Sequence, residues 1–283
     1  MEDAIINHVS DTALWIAAFR AEETQRSDAA FKDTLAKKLA GEKGYAIMNS
    51  TPHKDAMAFA MAVRTSAIDR LVNSAVAKGV DTVVNIGAGL DTRPYRMKLP
   101  PALQWVEVDL PGIQAYKAEL LKDEKPVCKL EIVACDLADD AEREKVFAQL
   151  GAAAKKALII TEGLIAYLDK EQARKLSRSI YNIPSFCYWV MDYGQGKMAR
   201  HRRAKNLKKM VSNAPFKFDE DKPIEFFGQD GWLINENIFI LDEAKRIGRK
   251  FPLMFPWNIL LRLVKKVRIA ANKTYGYVMF GKQ

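Results

Sequence analysis

Apolar and polar positions divide the chain into two parts near residue 80. In the first part, apolar residues recur at helical spacing. On the stretch Met57–Val76, the positions Met57, Met61, Arg64, Ile68, Leu71 and Ala75 share one helical face. In the second part, short apolar runs alternate with helical stretches, which is the signature of a parallel sheet with crossover helices. Five runs read as strands: Thr82–Ile86, Gln104–Asp109, Leu130–Cys135, Ala157–Thr161 and Phe186–Met191. Their β-branched and aromatic content predicts burial on both faces. Ile113–Leu121, Ala141–Leu150 and Lys170–Ile180 read as helices between them, and Trp232–Ile240 and Tyr275–Phe280 as a sixth and a seventh strand. The expected class is α/β with a doubly wound sheet. A helical cap over 1–78 is expected on a core over 79–283, with a polar, basic insertion at about 194–222.

Composition narrows this only a little. With 283 residues, 49% hydrophobic and 28% charged, the chain suits an ordinary globular core. No apolar run reaches the roughly 18 to 20 residues of a membrane span. The segment MEDAIINHVSDTALW lacks a signal-peptide pattern, so a cytoplasmic location is the expectation. The net charge of +9 raises nucleic acid or a membrane surface as partners. Solubility together with attraction for an anionic small molecule is the plainer account, so no nucleic-acid partner is expected. Cys128, Cys135 and Cys187 form no CxxC pair, and His8, His53 and His201 are dispersed. A metal site is therefore not expected.

In an open parallel sheet, ligands bind beyond the carboxyl ends of the strands. Here those ends carry Gly87-Ala88-Gly89-Leu90-Asp91, Asp109, Asp136, Glu162 and Asp192 in turn. Gly87 and Gly89 permit a tight turn with backbone close to a ligand. Thr92 stands where a dinucleotide fingerprint has its third glycine. Asp109 lies 22 positions after Gly87, close to the spacing of a ribose-binding carboxylate, with Glu107 as a rival on the same face. Asp136 with Leu137 suits the amino group and ring of an adenine. Glu162 directly follows a buried strand, a costly place unless it is paired or faces a cleft. Arg64 interrupts an apolar stripe and so demands an anion: a protein carboxylate such as Asp91, or the carboxylate of a bound amino acid.

These pieces together resemble the leucine carboxyl methyltransferase family, including its bacterial branch of small-molecule and polyketide O-methyltransferases. The matching segments are Arg64-Thr65-Ser66, VVNIGAGLDTRPYRM (Val83–Met97), VEVDLPGIQAYK (Val106–Lys117), Cys135-Asp136-Leu137 and TEGLIAYL (Thr161–Leu168). The resemblance covers about residues 55 to 190. It implies the class I methyltransferase fold, a Rossmann-like sheet of seven strands with the last antiparallel, and S-adenosyl-L-methionine as cofactor. By motif position it implies that Arg64 holds the methionine carboxylate. Gly87 and Gly89 would approach the cofactor, and Asp109 would bind the ribose. Asp136 and Leu137 would receive the adenine, Glu162 would sit beside the methionine portion, and Tyr167 would face the substrate.

The expected reaction is methyl transfer to an oxygen of a small-molecule carboxylate or hydroxyl. A carboxylate acceptor is already ionised and needs no base; a phenol or alcohol needs one. His201 lies in the basic run Lys197–Lys209 and reads as part of a solvated face, so no base is assigned. Trp257–Lys273 mixes apolar and basic positions and reads as a covering helix or a membrane-surface segment. Three other readings remain: a nicotinamide-dependent reductase, from the Tyr193/Lys197 spacing, a nucleic-acid methyltransferase or binding protein, from the charge, and a non-catalytic scaffold that keeps the cofactor site. Gly194 and Gly196 oppose the single helix that the reductase reading requires.

Overall fold

The computed structural model describes residues 9–196, 215–252 and 272–282. Three helices open the chain: α1 (Val9–Gln25), α2 (Ala36–Asn49) and α3 (Lys54–Ala77). The sheet then follows with β1 (Thr82–Ile86), β2 (Gln104–Asp109), β3 (Lys129–Ala134), β4 (Ala157–Thr161), β5 (Phe186–Gly194), β6 (Leu233–Phe239) and β7 (Tyr275–Gly281). Between strands lie α4 (Arg93–Arg96), α5 (Pro111–Leu121), α6 (Asp140–Ala153) and α7 (Lys170–Asn182), then α8 (Pro223–Gly228) and α9 (Ile240–Arg246).

The strand order is β3-β2-β1-β4-β5-β7-β6. β1 to β5 pair in parallel, and β7 runs antiparallel to both β5 and β6. Among the described residues β6 pairs with β7 alone. The two halves of the sheet wind away from each other at the β1–β4 pair, the place where such sheets open a crevice.

Side-chain alternation sorts each central strand between two cores. Val83, Leu158, Ile160 and Val190 pack with Val63, Ala67 and Leu71 of α3. Val84, Ile159, Trp189 and Met191 pack on the opposite face with Phe147 of α6 and Leu176 of α7. A third cluster joins Trp15 and Phe19 of α1 and Leu39 and Met48 of α2 to Met61, Leu90 and Ile113. The first two helices thus cover the glycine loop after β1.

Two expectations change. β3 is an edge strand and is not buried on both faces: Lys129, Glu131, Ile132 and Ala134 are exposed. β6 begins at Leu233 and ends at Phe239, so Trp232 precedes it, buried beside Trp189. The readings placed on Lys197–Lys209, including His201, and on residues 257–271 lie outside the described residues. Among the described residues, no helix is long and apolar enough to cross a membrane, and no cluster of His, Cys, Asp or Glu is placed to hold a metal.

Candidate functional site

A cavity of about 1340 Å³ lies along the carboxyl ends of the parallel strands. The residues to which the family resemblance gave a role border it: Arg64, Gly87, Gly89, Asp109, Asp136, Leu137, Glu162 and Tyr167. Its floor crosses the ends of six neighbouring strands, β3-β2-β1-β4-β5-β7. At the roughly 4.8 Å spacing of paired strands, that is a trough about 24 Å long.

The glycine loop is built as its sequence requires. Gly87 and Gly89 have φ of 69° and 51°, in the left-handed region that side chains avoid. A Cβ on Gly89 would stand 3.3 Å from Ala13 of α1, and one on Gly87 would stand 3.3 Å from Leu164. Asp109 fixes the loop from below. Its Oδ2 accepts the Gly89 N–H at 2.6 Å and its Oδ1 accepts the Leu110 N–H at 2.7 Å. Burial nonetheless lifts the Asp109 carboxyl above its ordinary range.

Glu107 does not share the site. It is buried and holds Lys117 of α5 through both oxygens, at 2.7 and 2.6 Å. Burial pushes its carboxyl up to about 7 in spite of that lysine. Asp136 stands at the rim, where its Oδ1 accepts the Ala138 N–H at 2.9 Å, and Leu137 lies beside it against the core.

At the β1–β4 crevice, carboxylates and guanidiniums alternate. Glu162 approaches Arg64 Nε through Oε1 and Arg93 Nη1 through Oε2, each at 2.8 Å. Arg93 also reaches Asp91 at 2.8 Å and Asp69 at 2.7 Å. Burial penalises the charge on Glu162, but the two arginines prevail and hold its carboxyl below the usual range. The protein partner of Arg64 is therefore Glu162, not Asp91, which belongs to Arg93. The contact is imperfect: the Arg64 Nε–H is buried, is not directed at the carboxylate, and has no hydrogen-bond acceptor. A half-used buried guanidinium is what an anionic ligand group would complete.

Arg93 escaped the sequence-based site, and Asp192 was placed at a strand end without an assigned role. Arg93 sits within the quoted GAGLDTR run, so the motif held the signal, but no local rule marks that arginine as buried. Asp192 of β5 accepts the Gly163 N–H at 2.6 Å and lines the same cavity. Tyr167 lies on the short turn Ile165–Tyr167, its ring 5.2 Å from that of Phe216. The returning chain docks there: the N–H groups of Lys217 and Phe218 both donate to the Ala166 carbonyl. Tyr193 lies on a strand, with its hydroxyl 3.0 Å from Asn237 Oδ1. The helical tyrosine of a short-chain reductase is thus not what this residue provides.

Fold and site together define a class I methyltransferase dependent on S-adenosyl-L-methionine. Residues 13–181 match the leucine carboxyl methyltransferase family, and the chain belongs to it. A Rhodococcus jostii protein bearing the name "Putative S-adenosyl-L-methionine-dependent methyltransferase" is 30% identical over 269 residues, 88% of this chain and 90% of its own length. One from Streptomyces coelicolor with the same description is 38% identical over 176 residues, a match spanning 58% of this chain and 62% of that protein. Among solved structures, a DUF574 family protein from Streptomyces avermitilis has a TM-score of 0.59 at 16% identity, covering 94% of this chain and 97% of that one. A structure from Thermobifida fusca has a TM-score of 0.60 at 13% identity, with 99% and 96% covered. At such identities these two structures speak for the fold alone.

Proposed function

We propose that the chain transfers a methyl group to an oxygen of a small-molecule carboxylate or hydroxyl. The observation that carries this reading is the continuous trough, which gathers eight residues nominated from distant parts of the sequence. When bound, S-adenosyl-L-methionine supplies an already activated methyl group. The work left to the protein is alignment and exclusion of water.

The residues present suit that cofactor. Arg64, with an unanswered buried N–H, would take the amino-acid carboxylate. The positive-φ backbone at Gly87 and Gly89 leaves no Cβ in the way of a ligand. Asp109 keeps a second lone pair on each oxygen for the ribose hydroxyls while it pins the loop. Asp136 and Leu137 stand at the adenine end. Glu162, tied to both arginines, would orient Arg64 beside the methionine portion rather than accept a proton. Tyr167 with Phe216 would wall the acceptor side.

The Cys135 thiol, pushed up to about 11 by burial, remains protonated and supplies no nucleophile. No covalent enzyme intermediate is needed. The test has two parts. Calorimetric titration with S-adenosylhomocysteine should give micromolar binding, and a labelled-methyl assay should show transfer to carboxylic acids or phenols. Absence of binding at millimolar concentration removes the reading. Transfer to nitrogen or sulfur alone removes its oxygen part.

A further inference from the structure

The nucleoside reading uses the ends of β3, β2, β1 and β4. The trough continues over β5 and β7. That remaining end has an apolar wall of Ile240, Leu241, Phe251 and Tyr275, and Asp221, Lys222, Glu225 and Lys273 also line the cavity. Asp192, near the end of β5, stands at the β4–β5 junction, through its bond to Gly163. Asp192 Oδ1 is held by the Gly163 N–H at 2.6 Å, while Oδ2 accepts no hydrogen bond from the described residues.

Building on the oxygen-transfer reading above, we propose that the acceptor is a hydroxyl on a flat apolar frame lying over β5 and β7, and that Asp192 takes its proton. Other groups near Asp192 are unsuited to that task. Arg64, on α3, is a cation. Tyr277 is paired with Asp192 across the β5–β7 ladder, and burial drives its phenol far above the ordinary range, so it stays protonated. Glu162, one strand away, is engaged by two guanidiniums. A carboxylate acceptor would set a second anion against the free Asp192 oxygen in a partly buried cleft, where like charges repel more strongly than in open water. A hydroxyl instead donates its hydrogen bond to that oxygen.

In the step, the hydroxyl proton passes to Asp192 Oδ2 while an oxygen electron pair forms the O–CH3 bond. The C–S bond breaks with its pair going to sulfur. The products are a methyl ether, a neutral thioether and a protonated Asp192, which returns its proton to water.

The experiment compares wild-type protein and Asp192→Asn in labelled-methyl transfer to naphthol, a graded series of more acidic phenols, and naphthoate. Calorimetry measures S-adenosylhomocysteine, and then naphthol added to the loaded protein. We expect wild type to methylate naphthol in preference to naphthoate. In Asp192→Asn, kcat for naphthol should fall about 10²- to 10⁴-fold, as for loss of a general base. That loss should shrink as the phenol becomes more acidic, and naphthol should bind the loaded variant more weakly. S-adenosylhomocysteine affinity should stay within about twofold, which is under 0.5 kcal/mol.

Equal or better transfer to naphthoate by wild type overturns the proposal without need of a variant. So does a loss of rate that is uniform across the phenols, failure of naphthol to bind the loaded wild type, or a tenfold loss of S-adenosylhomocysteine affinity in Asp192→Asn. Failure of wild type to bind S-adenosylhomocysteine would instead strike the reading on which this one rests.

Discussion

At position 64 a guanidinium occupies a stripe that helical periodicity reserves for aliphatic side chains. Its neighbour Glu162 retains Arg93 at 2.8 Å, so losing Arg64 leaves no bare buried anion. Arg64→Met is expected to cost about 1.5–3 kcal/mol in S-adenosylhomocysteine binding, roughly ten- to hundredfold, as for a charged hydrogen bond, with little change in thermal stability. Calorimetry and a melting curve on the same sample check both halves. Glu162→Gln differs, because it leaves the buried Arg64 guanidinium without its carboxylate, while Arg93 keeps Asp91 and Asp69. Its expected cost is about 3–5 kcal/mol in denaturant unfolding, the range for breaking a buried ion pair. The sign with pH follows from the depressed carboxyl. Glu162 contributes stability above its unfolded value of about 4.3 and loses it as pH falls through the lower folded value. The variant should therefore lack that part of the acid-induced loss. Arg64 and Asp109 were legible because each breaks a pattern, the one an apolar stripe and the other the end of a strand. Arg93 was not, and Asp192 was legible only as a strand-end carboxylate, since their partners lie on other strands or helices and only the assembled sheet brings them near.

At the scale of elements, strand positions were legible because five short apolar runs stand between well-marked helices. The helix starts also follow local chemistry. In α7, Asp169 accepts the Gln172 N–H while the Gln172 side chain accepts the Asp169 N–H, a closed capping box. Asp169→Ala is expected to lower stability by about 1 kcal/mol while leaving S-adenosylhomocysteine affinity unchanged, which makes it a control for the site variants. Gly89→Ala is the informative contrast. It adds a Cβ at a φ of 51° and 3.3 Å from Ala13, straining the loop that Asp109 holds. It should weaken cofactor binding as well as stability, read by the same two measurements. What local pattern could not reveal was rank within the sheet. The run LEIVAC (Leu130–Cys135) reads as an inner strand, yet β3 lies at the edge, because only the winding of the chain decides which strand is outermost.

For the molecule as a whole, the Glu107–Lys117 pair under the sheet gives a pH signature of opposite sense. The Glu107 carboxyl is raised to about 7, so the folded state keeps a proton that the unfolded chain has released. Stability from this group is greatest below about pH 4.3 and declines as pH climbs toward 7. Replacing both residues, as Glu107→Gln with Lys117→Met, should flatten that decline and leave the fold intact. Lys117→Met alone should destabilise at neutral pH, measured by unfolding at pH 5 and pH 7.5. The doubly wound class was legible from alternation alone; the trough above it was legible only in part, as separate strand ends without their joint geometry.

The place of β7 also bears on how the protein is made. Among the described residues β6 pairs only with β7, and β7 follows it tens of residues later in the chain, so the β5 and β6 edges that β7 joins are synthesised before it. Leu233 and Ile234, still half exposed in the finished sheet, are most accessible to other nascent chains during that interval. Translation arrested just before Tyr275 would thus yield a product with two open, sticky strand edges, prone to aggregate.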